Sequence, residues 1–123
     1  MRMDRDQGAA GPIVTGLGPN GFRVGDRHAP ALLLTAERAM DWEPPALADL
    51  SIDDLREALS PRPEFVLLGT GAELRRPPAA LTEALEALNV GLEAMDSRAA
   101  ARAWGVLRAE GRGVAAALYP LGA

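Results

Sequence analysis

The sequence predicts an α/β fold: one compact domain with an N-terminal β-hairpin region and a mostly parallel sheet carrying about three helices. Three observations lead there. Continuous apolar runs at Ala31–Thr35, Glu64–Leu68 and Val114–Tyr119 have the length and composition of strands buried on both faces. Segments with apolar residues at helical spacing lie between the later runs, so the two periods alternate. A chain of 123 residues that is 48% hydrophobic suffices for one core and one domain.

Taken in order, Met1 to Pro12 carries charges and glycines but no apolar run of the kind found in a secretory signal. It reads as a flexible tail ahead of a domain spanning residues 13–123. Ile13–Gly18 and Phe22–Val24 are short β-prone runs around Pro19-Asn20-Gly21, and Asn20-Gly21 suits a tight hairpin turn. Ala31–Thr35 follows as a buried strand. Met40 to Leu50, broken by Pro44-Pro45, reads as a loop.

Ser51 with Asp54 three residues on has the pattern of a capping box, and Ile52, Leu55 and Leu59 share one face of a short helix stopped before Pro61. Glu64–Leu68 is a core strand ending at Gly69-Thr70-Gly71. A helix from about Pro78 to Asn89 places Leu81, Leu85 and Leu88 on one side. Val90–Met95 is the next strand. Asp96 or Ser97 caps a third helix that runs to about Glu110, with Ala100, Ala103, Trp104 and Leu107 on one face. Val114–Tyr119 closes the domain. Strands separated by helices imply parallel pairing with right-handed crossovers.

Composition removes many chemistries. The chain has no cysteine, so disulfides, thiolate nucleophiles and cysteine-ligated metals are excluded. All 13 basic residues are arginine, which removes Schiff-base lysines and a Walker A lysine. The single histidine, His28, cannot build a histidine metal cluster and reads as a turn residue in Gly-Asp-Arg-His. No metal site and no cofactor are expected. A net charge of −4, from 17 acidic against 13 basic residues, argues against nucleic-acid binding. No apolar run is long enough to span a membrane, and a cytoplasmic location is the default.

Gly16-Leu17-Gly18-Pro19-Asn20-Gly21 satisfies the dinucleotide-binding pattern GxGxxG. That chemistry needs a helix N-terminus after the turn, whereas Phe22-Arg23-Val24 resumes a strand. The segment is read as a hairpin.

Three places remain as site candidates. Gly69, Thr70 and Gly71 lie where a core strand ends, with Arg75 and Arg76 close by; the glycines either turn the chain out of the sheet or line a pocket for a small anion or polar ligand. Glu93 interrupts an apolar strand, and Arg112, preceding the last strand, is its candidate partner. The pair either buttresses the sheet or contributes to ligand binding. Trp42, beside prolines in a loop, either packs over the edge of the core or offers an interaction surface.

Phe65-Val66-Leu67-Leu68-Gly69-Thr70-Gly71, Val90-Gly91-Leu92-Glu93-Ala94-Met95-Asp96 and the stretch Val106 to Leu121 together resemble the MTH-type domain family. This family includes mitochondrial respiratory complex I assembly factor 3, the adipogenesis-associated MTH-domain protein and many uncharacterised bacterial proteins. The resemblance covers roughly residues 21–121. It implies an MTH-type α/β domain and no established catalytic activity. The family's Thr-Tyr-Asn motif is replaced here by Ala103-Trp104-Gly105, so two of its polar side chains are missing. The reading that follows is a non-catalytic interaction or assembly-factor-like module with a protein partner. The alternative is a small-molecule or anion-binding protein, or an enzyme, using Gly69-Thr70-Gly71.

Overall fold

The computed structural model describes residues 11–18 and 21–123. Most of the expected tail, residues 1–10, and Pro19 and Asn20 of the expected turn lie outside this set. Gly11 and Pro12 belong to the packed domain, because the Trp104 indole N–H donates to the Pro12 carbonyl over 2.8 Å.

Among the described residues, eight strands form two sheets. Strands β1 (Val14–Gly18) and β2 (Gly21–Val24) pair antiparallel, with Leu17 opposite Phe22. Among the described residues, β1 is followed by the antiparallel strand β2 and not by the helix that dinucleotide binding at a GxGxxG pattern needs; Pro19 and Asn20 of that pattern lie outside the described residues. A third strand, β3 (Arg27–Ala29), extends this sheet and places His28 opposite Arg23. His28 is therefore an exposed strand residue rather than a turn residue.

The second sheet contains β4 (Leu32–Leu34), β5 (Ala39–Asp41), β6 (Phe65–Gly69), β7 (Gly91–Met95) and β8 (Val114–Leu118). Its order is β5-β4-β8-β6-β7. The three strands of the αβ repeats are parallel, β6 lying between β7 and β8, as the alternating pattern predicts. Strands β4 and β5 join antiparallel beyond β8. Strand β5 falls in the segment expected to be a loop. A turn at Thr35 makes it possible: the Thr35 hydroxyl accepts the amides of Glu37 and Arg38, each over 3.1 Å.

Both faces of this sheet are covered. One face, with Leu33, Val66, Leu68, Ala115 and Ala117, packs on a 3-10 helix at Ile52–Leu59 and on α1 (Ala79–Ala87). The other, with Leu32, Leu34, Leu67, Ala116 and Leu118, packs on α2 (Ser97–Ala109) and on Phe22 of the smaller sheet. The Ser51–Asp54 cap forms as the sequence suggests: the Ser51 amide donates to the Asp54 carboxylate over 2.9 Å, and its hydroxyl does so over 3.1 Å. Ser60, ahead of Pro61, is extended and ends this helix, since a residue before proline is crowded out of the helical region. Asp96 caps α2 by accepting the Ala99 amide over 2.9 Å.

On α2, Trp104 is fully buried and Arg108, one turn later, is buried as well. The Arg108 guanidinium lies 5.4 Å from the centre of the Trp104 ring, and its Nη1 donates to the Arg112 carbonyl over 2.7 Å. Stacking and a carbonyl acceptor allow a planar cation to sit in this layer.

Candidate functional site

Gly69, Thr70 and Gly71 stand at the carboxyl end of β6, the end of a parallel sheet where ligands gather in open α/β folds. Their backbone groups are committed to the fold. The Thr70 amide donates to the Met95 carbonyl over 2.9 Å, and the Tyr119 amide donates to the Gly69 carbonyl over 2.9 Å. The Gly71 amide donates to the Ser97 hydroxyl over 2.9 Å, and that hydroxyl in turn donates to the Tyr119 carbonyl over 2.8 Å. One buried serine thus ties the ends of β6, α2 and β8 together.

The two glycines are there for close approach. A Cβ at Gly69 would lie 2.9 Å from both Cα and Oγ of Ser97, inside contact distance. Gly71 has φ of +108°, and a Cβ there would lie 2.4 Å from the Ala123 carbonyl oxygen. These amides do not form an anion cradle, because each has an acceptor within the chain.

Thr70 shapes the loop that follows. Only 1% exposed, its hydroxyl donates to the Glu73 carbonyl over 2.7 Å and accepts the Arg75 amide over 3.0 Å. The loop is pinned on both sides of Leu74, which stands 64% exposed. Arg75 and Arg76 are exposed beside it.

A hollow of about 370 Å³ opens next to this loop. Pro44, Pro45 and Leu47 form one wall, Tyr119 and Pro120 another, and Thr70 with Arg75 a third. The Tyr119 hydroxyl donates to the Pro45 carbonyl over 2.8 Å, which fixes the proline wall against the end of β8. Burial, reinforced by the charges of Asp54 and Asp49, pushes the Tyr119 phenol up to about 12. It is a neutral donor at physiological pH. Sequence reasoning found Thr70 and Arg75 but not the prolines or Tyr119, which converge only through the strand order.

Glu93 and Arg112 do not meet. Glu93 is exposed on the edge strand β7, and β6 lies between that strand and β8. The Arg112 guanidinium instead lies 3.1 Å from the Glu64 carboxylate and 5.9 Å from the centre of the Phe65 ring. Neither residue lines the hollow.

Trp42 is half-buried and packs against the core rather than standing free in its loop. Its ring centre lies 5.3 Å from that of Tyr119 in an edge-on arrangement, and its indole N–H donates to the Asp54 carbonyl over 3.2 Å. It buttresses the aromatic wall from behind. Among the described residues there is no group of three side chains suited to hold a metal ion, and no helix is long and apolar enough to cross a membrane.

A mixed sheet covered on both faces, with a hollow at the ends of the parallel strands, defines an α/β domain of the Mth938-like type. Residues 14–119 match the family described as a protein of unknown function, DUF498/DUF598, and the chain belongs to that family. It is similar to an uncharacterized protein of Rhodobacter capsulatus, 40% identical over 95% of this chain and 92% of that one. It is also similar to NADH dehydrogenase [ubiquinone] 1 alpha subcomplex assembly factor 3 of Danio rerio, 29% identical over 93% of this chain and 67% of the relative. The solution structure of a Bordetella pertussis protein, titled a Mth938-like domain, superposes with a TM-score of 0.80 at 26% identity, covering 99% of this chain and 92% of that one.

Proposed function

We propose that this chain is a non-catalytic protein-interaction module of the assembly-factor kind, working in the cytoplasm. The observation that carries the reading is the similarity of nearly the whole chain to an assembly factor from zebrafish. The side-chain inventory supports it, since thiols and amines are absent and there is one imidazole, on the small sheet away from the hollow. The internal bonding of the Gly69-Thr70-Gly71 amides supports it too, because the backbone donors that an anion-binding enzyme would use already have partners.

A second reading, small-molecule or anion binding, is favoured by the hollow beside Thr70 and Arg75. Native purification followed by mass spectrometry of both proteins and small molecules separates the two. The first reading expects a stoichiometric protein partner that re-forms a complex with this chain from purified components. A chain that purifies alone with a metabolite bound, or that turns over a substrate, overturns it.

A further inference from the structure

We draw no further inference here: the strongest candidate, the apolar hollow at the ends of β6 and β8 with Leu74 exposed on the loop beside it, carries nothing, because charges of both signs surround it and nothing among the described residues shows what covers it.

Discussion

The hydroxyl of Ser97 donates to the carbonyl of Tyr119 over 2.8 Å while accepting the amide of Gly71, and the serine has no exposed surface. Three chain ends meet at that oxygen: the exit of β6, the first residue of α2 and the exit of β8. Removing it leaves one donor and one acceptor buried without partners. Ser97→Ala should therefore lower stability by about 2 kcal/mol, within the range for orphaned buried groups, as read by urea denaturation. A loss below about 0.5 kcal/mol would mean that water replaces the hydroxyl. Ser97→Thr should not rescue fully, because its added methyl enters a space already closed by Gly69.

Trp42 supplies the next test. It packs on the core, meets Tyr119 edge-on and donates to Asp54, so its removal opens the wall of the hollow from behind. Trp42→Ala should cost about 2–3 kcal/mol, below the full value for a completely buried tryptophan because the side chain is half-exposed. Trp42→Phe keeps the aromatic contact and loses the indole hydrogen bond, a loss of about 1 kcal/mol. Calorimetric melting of the two variants checks both. Wild-type stability in Trp42→Ala would return this residue to the role of a free surface aromatic.

Three glycines should respond in opposite directions to the same added methyl. Gly69→Ala brings a Cβ to 2.9 Å from Ser97 and 3.0 Å from Leu118, so it should destabilise by about 1–3 kcal/mol. Gly71→Ala meets the Ala123 carbonyl at 2.4 Å with a positive φ and should also destabilise. Gly105 lies inside α2 with nothing within 4 Å of an added Cβ. Gly105→Ala should stabilise by about 0.5–1 kcal/mol and raise the melting temperature by a few degrees. Its side-chain space is open, so the loss of the family asparagine there leaves no cavity.

The long apolar runs disclosed the centre of the fold because they are buried on both faces, and Phe65–Gly69 and Val114–Leu118 could be read directly from composition. Strands β3 and β5 were hidden. Each has three residues, several of them polar or exposed, and is held by a neighbouring strand rather than by its own propensity. Glu93 and Arg112 looked like partners only as long as their strands were imagined side by side; the insertion of β6 separates them. At the hollow, Thr70 and Arg75 were visible through the strand-end rule. Pro45 and Tyr119 were not, since they are 74 residues apart in the chain and meet through tertiary structure. Arg108 was missed for the same reason: its stacking on Trp104 follows helical spacing, but its burial requires the Arg112 carbonyl and the covering layer.

Tyr119 is the only tyrosine in the chain, so one absorbance change reports it alone. Burial and the nearby charges of Asp54 and Asp49 hold its phenol at about 12 in the folded protein, against 10.0 for an unperturbed phenol. In the window between these values the unfolded chain releases the proton while the folded chain keeps it, so the native state binds more protons and stability falls as pH rises. The contribution is fully present below pH 10.0 and is lost as pH rises through about 12. A shift of this size corresponds to a loss on the order of 2 kcal/mol across the window. The urea midpoint should drop between pH 10.0 and about 12, and tyrosinate absorbance should titrate together with unfolding rather than ahead of it. Tyr119→Phe should flatten that drop, at a uniform loss of about 1 kcal/mol for the missing bond to Pro45. Tyrosinate forming near pH 10 in a chain that is still folded would show that the phenol is open to solvent, and the wall it gives the hollow would then not be closed.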